Sequence, residues 1–386
     1  MKTIFIAAHY NMNNGDRAVL EATINKLYQY NDKTKIIVSV ADSKTFIDSR
    51  FEVVKWPLKN NRIYKFIFLL LARTNNVKLM KLFYRLYVSN EYLEALRRSD
   101  IVLITGGHHL TDILGYRNFY NLAINFLIPL FENKEIFLMP QSIGPVNNLK
   151  MKNITKYILN HAKQIAYRDN SSRKFLDELN LKTKYEYVPD VVFSLPKFKE
   201  SIKNNEIGIA LYCSYVGEKK HTLMPWVIEN LIEVINEYTR KGFKISIISM
   251  DPNDIEVGKK IVKECNNSNN VVKLESPETE NILDIIKLFS NKELVLAYKT
   301  HSVIFSLINL TPVIAIAYHP KSIEFMESVN LKKYSVEDKN ASKNKLCELI
   351  ESALNNREEI IKKEKEGVKV NNEIIDGYLK KILKVN

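Results

Sequence analysis

The sequence predicts an α/β protein built from two tandem doubly wound, Rossmann-like domains and a C-terminal helical segment. Three observations predict it. Short β-branched runs alternate with longer amphipathic stretches along almost the whole chain, the pattern of βα units around a mainly parallel sheet. That series halts once, at the charged, proline-led PKFKESIKNNE of Pro196 to Glu206, and then starts again. The length of 386 residues suits two or three domains, and 46% hydrophobic with 26% charged residues excludes both a disordered polymer and a disulfide-stapled miniprotein.

In chain order, the first strand is expected at Thr3 to Ala8. It is shorter than a signal-peptide core and runs into the polar loop Asn11 to Asp16 with no cleavage site. A helix over Arg17 to Tyr30 follows, then strands at Lys35–Val40, Phe51–Lys55, Ile101–Thr105, Glu135–Met139 and Gln164–Tyr167, with a helix at Asn170–Leu179. After the connector, strands are expected at Ile207–Tyr212, Lys244–Ser249, Val271–Leu274, Glu293–Ala297 and Val313–Ala317. The repeated three- and four-residue apolar spacing of Lys343 to Lys384 predicts helix that packs back on the body. The domains so read are 1–196, 206–340 and a helical segment, 341–386.

Lys and Arg number 57 against 44 Asp and Glu, a net charge of +13 that favours anionic partners without choosing among them. Cys213, Cys265 and Cys347 are far apart, so no disulfide framework or zinc knuckle is readable and a reducing cytoplasm is expected. The apolar run Phe66 to Ala72 is too short to span a bilayer. Arg62 to Tyr87 interleaves Lys and Arg with Phe, Tyr and Leu; it reads either as a pair of core-facing helices or as an interfacial amphipathic segment. No nucleic-acid-binding pattern accompanies it.

In open α/β sheets ligands bind beyond the carboxyl ends of the strands, where helix N-termini present unpaired N–H groups. Five of the seven histidines fall at such positions: His9 ahead of Asn13-Asn14-Gly15-Asp16, His108 and His109 after Gly106-Gly107, His301 in Lys299-Thr300-His301-Ser302, and His319 in Tyr318-His319-Pro320-Lys321. Asn13 to Asp16 also reads as a plain turn with Asp16 as helix cap, and Gly106-Gly107 as a generic tight turn without a phosphate-loop lysine. Arg168-Asp169 reads as a local ion pair when taken alone. Lys299 and His301 flank a helix start, so an ammonium, a proton-transfer group and helix N–H groups are expected around one anion-sized space. Adjacent His108-His109 lacks the spacing of metal ligands, and no nucleophile motif suggests covalent catalysis.

Taken in order, NNGDRAVL (Asn13–Leu20), ITGGHHLTD (Ile104–Asp112), PQSIGP (Pro140–Pro145), YRDNSS (Tyr167–Ser172), PDVVFSL (Pro189–Leu195) and KTHSVIFSLINLTPVIAIAYHPK (Lys299–Lys321) resemble the polysaccharide pyruvyl transferase family over about residues 1 to 330. The resemblance implies a two-lobed fold similar to GT-B glycosyltransferases and transfer of pyruvyl from phosphoenolpyruvate to a sugar hydroxyl pair as a cyclic ketal. It implies Arg168 and Lys299 as donor-binding residues and His301 as the acid–base group; position beyond the strand ends adds Thr300 to the donor site and Asn13, Gly15, Asp16, Gly106, Gly107, His108, His319 and Lys321 as further cleft candidates. Lys299 stands where the family carries arginine, and His108 where the glycine turn has its third glycine. Such a route needs no metal or redox cofactor. The expected partners are phosphoenolpyruvate and a glycan or lipid-linked saccharide, with peripheral contact at the inner membrane face and no nucleic acid. The competing readings are a GT-B-like glycosyltransferase that uses a nucleotide sugar in an interdomain cleft, and a non-catalytic glycan- or membrane-binding protein.

Overall fold

A computed structural model describes residues 2–9, 13–41, 48–59, 61–113, 115–198, 205–212, 214–216, 219–221, 225–265, 271–276 and 281–384. The chain divides into two compact units: Met1–Val191 with Ile374–Asn386, and Val192–Glu373. Most of the expected connector, residues 199–204, lies outside the described residues, as does Cys213.

In the first unit the order is β1 (Thr3–His9), α1 (Asn14–Tyr30), β2 (Lys35–Val40), β3 (Glu52–Lys55), α2 (Arg62–Arg73), α3 (Val77–Tyr87), α4 (Asn90–Arg97), β4 (Ile101–Ile104), α5 (Gly115–Phe131), β5 (Ile136–Gln141), α6 (Leu149–His161), β6 (Gln164–Tyr167), α7 (Asn170–Leu179) and β7 (Tyr185–Tyr187). The seven strands form one parallel sheet in the order β3-β2-β1-β4-β5-β6-β7. Ile4 of β1 sits in register with Ile36 on one side and Ile101 on the other. Helices cover both faces of such a sheet, so its central strands read as unbroken apolar runs, and every residue of β4 and β5 is buried. β7, the edge strand YEY, is only half covered and too short and polar to show that pattern.

The second unit runs β8 (Glu206–Ala210), the hairpin β9 (Ser214–Val216) and β10 (Lys219–His221), α8 (Pro225–Arg240), β11 (Lys244–Ile248), α9 (Pro252–Glu264), β12 (Val272–Glu275), α10 (Ile282–Lys287), β13 (Leu294–Ala297), α11 (Thr300–Asn309), β14 (Val313–Ala317), α12 (Pro320–Ser328), β15 (Ser335–Glu337) and α13 (Lys343–Asn355). Its parallel sheet has the order β12-β11-β8-β13-β14-β15. The chain ends in α14 (Arg357–Leu383). The last turns of α14 belong to the first unit, where Tyr378 donates to the Leu138 carbonyl of β5 at 2.6 Å and Asp376 pairs with Lys26 of α1 at 2.7 Å.

Both sheets reverse their strand order once, between β1 and β4 and between β8 and β13. The loops leaving those strands diverge to opposite faces and open a crevice at the carboxyl end of each sheet. No helix among the described residues is long and apolar enough to cross a membrane. Cys265 and Cys347 are free thiols.

Candidate functional site

At the switch point of the first sheet, β1 ends in His9 and β4 runs into Thr105-Gly106-Gly107-His108-His109. His9 and His109 are both buried. Burial, reinforced by the charges of His109 and Arg17, holds His9 down at about 3. Burial, opposed by hydrogen bonding to Gly106 and aided by the charge of Arg168, brings His109 to about 4. The His109 ring fills the space beneath Gly107, where a Cβ would lie 2.5 Å from its Nε2. His108 turns the other way, its Nε2 2.5 Å from the Gly144 carbonyl, so that nitrogen carries the proton.

The expected helix cap Asp16 is corrected by one helical turn. Asn13 is the cap: its side chain accepts from the Asp16 amide at 2.8 Å and donates to the Asp16 carboxylate at 2.6 Å. Gly15 is buried in the first turn. Both side chains are thus engaged in starting α1, directly after the loop from His9.

The local Arg168–Asp169 pair is also corrected. Arg168 extends to Asp190, beyond β7, in a pair that is almost wholly buried. Its other nitrogens lie 3.3 Å from the Gly107 carbonyl and 3.3 Å from Ser142 Oγ. Asp169 instead caps α7, accepting from Ser172 at 2.8 Å, and takes the Ser142 hydroxyl at 2.5 Å. The guanidinium therefore acts as the tie that fixes the glycine turn, its charge already matched by Asp190.

In the second unit, Tyr212 follows β8, while Tyr298-Lys299-Thr300-His301 follows β13 and opens α11. Tyr212 stacks on Tyr318 with ring centroids 4.3 Å apart and planes at 18°, and Tyr298 lies over Tyr318 at 5.7 Å. Lys299 Nζ lies 5.5 Å from the centre of the Tyr212 ring. Thr300 donates to Tyr318 Oη at 3.1 Å, and His301 is half-buried with its ring 6.4 Å from that of Phe305.

The Lys299 ammonium does not stand alone at this helix start. It is held by Asp251 and lies 3.5 Å from Asp254, both at the carboxyl end of β11. Burial by itself would push the Lys299 pKa down, but Asp254 and Asp251 outweigh it and the net shift is upward. Asp254 is fixed in turn by the Met250 and Asp251 amides at 3.2 and 3.0 Å. His319 caps α12, its Nδ1 accepting from the Lys321 amide at 3.3 Å, so the backbone of Lys321 is part of a helix start.

The sequence reading missed Ser142 and Asp190 in the first unit and Asp251, Asp254 and the tyrosine stack in the second. A signal existed for some of them. Asp251-Pro252-Asn253-Asp254 directly follows an expected strand, and Asp190 sits inside a quoted block. Nothing local shows that Asp190 meets an arginine 22 residues before it.

Two parallel α/β units with switch-point crevices define a GT-B-type two-domain fold, and solved structures match it over 92–100% of the chain. A glycosyltransferase from Rickettsia africae ESF-5 aligns with 100% of this chain and 99% of its own at 14% identity, with a TM-score of 0.58. Anabaena HepE in complex with UDP covers 100% of each chain at 12% identity and TM-score 0.56. The UDP-GlcNAc 2-epimerase of Methanocaldococcus jannaschii covers 92% and 93% at 14% identity and TM-score 0.55. At such identities the likeness concerns the fold alone. The family is given by sequence: residues 13–320 match the polysaccharide pyruvyl transferase model, and the chain belongs to that family.

Proposed function

We propose that the protein transfers the pyruvyl group of phosphoenolpyruvate to two hydroxyls of one sugar in a surface glycan or its lipid-linked precursor, closing a cyclic ketal. The observation that carries this reading is the Lys299-Thr300-His301 turn. It sets an imidazole, a cation and the N-terminus of α11 at the switch point of the second sheet, in a chain of the pyruvyl transferase family.

The chemistry needs a proton on the enol methylene, attack by a sugar oxygen on the cationic carbon so formed, departure of phosphate and attack by the second hydroxyl. His301 supplies the first proton. Helix N–H groups and Lys299 hold the donor's anionic ends, with Thr300 beside them. Because Asp251 holds Lys299, the donor must compete for that ammonium; a donor that wins releases a carboxylate able to take the proton of the attacking hydroxyl. Within the first unit we assign Arg168 to holding the glycine turn through Gly107 and Ser142.

We place the enzyme in the cytoplasm with peripheral contact at the inner membrane face through α2 and α3. Ile63, Phe66 and Leu82 are 65%, 64% and 71% exposed there, among basic side chains. Each basic residue near an anionic surface adds roughly 1 kcal/mol of attraction.

Incubation with phosphoenolpyruvate and candidate glycans tests the function. Phosphate release that requires both substrates, with a pyruvate ketal on the glycan by mass spectrometry, supports it. Product formed from a nucleotide sugar instead identifies a glycosyltransferase, and binding without turnover of either donor identifies a non-catalytic protein.

A further inference from the structure

A cavity of about 610 Å³ in the first unit lies apart from the residues assigned above. It sits at the carboxyl end of the sheet, where Ala41 leaves β2 and Lys55 to Leu58 leave β3. One side is α2, whose Arg62, Lys65, Phe66 and Leu69 share a helical face at spacings of three, four and seven; the other is α5, through Arg117, Asn121 and Ile124. The Trp56 indole in its wall is anchored by donating to the His9 carbonyl at 3.1 Å.

The lining has two chemical halves. Lys55, Arg62, Lys65 and Arg117 bring four cations, and no carboxylate is among the described residues that line the cavity. This continues a wider bias, since residues 53 to 90 contain eight Lys and Arg and no Asp or Glu. The other described lining residues are Ala41, Trp56, Pro57, Leu58, Phe66, Leu69 and Ile124, together with the amide of Asn121. Among the described lining residues the side-chain donors are cationic apart from Asn121 and the Trp56 indole, and Asn121 alone offers an acceptor, a set that suits an anion better than a neutral sugar or nucleobase. Phe66 belongs both to the cavity and to the exposed stripe Ile63-Phe66-Leu70, so an apolar chain leaving the cavity has a continuous path onto the helix surface.

We infer that this cavity binds a phosphate or diphosphate carried on an apolar chain, with the anion among Lys55, Arg62, Lys65 and Arg117 and the hydrocarbon against Trp56, Leu69 and Ile124. The chemistry is shared by two sources, a bilayer lipid headgroup and a single prenyl-type phosphate. Only the description of the latter as the acceptor's lipid end rests on the pyruvyl-transfer reading.

Titration calorimetry with geranyl diphosphate and inorganic diphosphate, and flotation with phosphatidylglycerol vesicles, test the inference on the wild-type protein and on Lys55→Gln/Arg117→Gln. These two positions lie off the α2–α3 surface. We expect geranyl diphosphate to bind, inorganic diphosphate to bind about tenfold or more weakly, and the double variant to lose about ten- to a hundredfold in affinity. Asn121→Phe, which fills the cavity and keeps its charge, should weaken the prenyl ligand but not inorganic diphosphate. Loss of geranyl diphosphate binding with flotation intact assigns the cavity to an individual amphiphile; loss of flotation where geranyl diphosphate does not bind assigns it to bilayer headgroups. Inorganic diphosphate binding as tightly as the prenyl compound, or neither arm responding to the double variant, overturns the inference. Phosphoenolpyruvate affinity measured on the same proteins reports separately on the donor reading.

Discussion

Lys299, Asp251 and Asp254 illustrate how much a single buried charge constrains its neighbours. Replacing Lys299 with Met removes the ammonium that lies against Asp251 and fully buried Asp254, and losing one partner of a buried pair costs about 3–5 kcal/mol. Urea unfolding should show a loss of that size for Lys299→Met, whereas Lys299→Arg keeps a charge in place and should fold. The arginine variant is therefore the sounder probe of donor affinity. His9 and His109 give a second, independent expectation. Their folded pKa values of about 3 and 4 lie below the ordinary 6.5, so the unfolded chain binds more protons between those limits. Their contribution is full above pH 6.5 and is lost as pH falls toward 4, on the order of 3 kcal/mol for His109. Unfolding midpoints measured at pH 7 and pH 5 should differ, and His109→Gln should flatten the difference; an unchanged pH slope in that variant refutes the assignment. At this scale the position of a residue was legible, as with His301 in the first turn of the helix that follows β13. The sequence was silent where a partner is distant, since Arg168 meets Gly107 and Asp190 across 61 and 22 residues.

Among the elements, buried central strands were readable and edge strands were not. β2, β6 and β14 appear with the expected limits because two covered faces select mainly apolar residues, whereas YEY and SVE carry too little apolar surface to stand out. The turn after β4 is set by close approach. A Cβ on Gly106 would lie 2.7 Å from the Pro140 carbonyl oxygen, a backbone atom that cannot swing away. Gly106→Ala should therefore destabilise the chain by about 1–3 kcal/mol, read as a lower unfolding midpoint. For α2 and α3 the core-facing reading covers one side of each helix: Phe68, Ala72, Met80 and Tyr84 face the core, while Ile63, Phe66, Leu70, Leu82 and Leu86 face outward. Replacing Lys65, Arg73, Lys78, Lys81 and Arg85 with Gln should abolish flotation with anionic vesicles at low salt, and salt should weaken wild-type binding. Unchanged flotation in the variant would show that these helices are not the contact.

Across the whole chain, two parallel sheets each present a switch-point crevice; Asn13–Asp16, Gly106–His109 and Lys299–His301 of the family motifs follow the switch-point strands, while other motif residues, such as Val303–Ile308 and Val313–Ala317, are core. The second sheet carries the residues to which we assign proton transfer and donor binding. The measurement that tests this most directly is the reaction run in deuterium oxide, with mass spectrometry and proton NMR of the glycan product. If His301 delivers a solvent-exchangeable proton to the enol methylene, the ketal methyl group carries one deuteron, and His301→Ala lowers the rate of its formation by about a hundredfold with the fold intact. A product that keeps the vinyl group, a methyl group without deuterium, or an alanine variant as fast as the wild type would contradict the account.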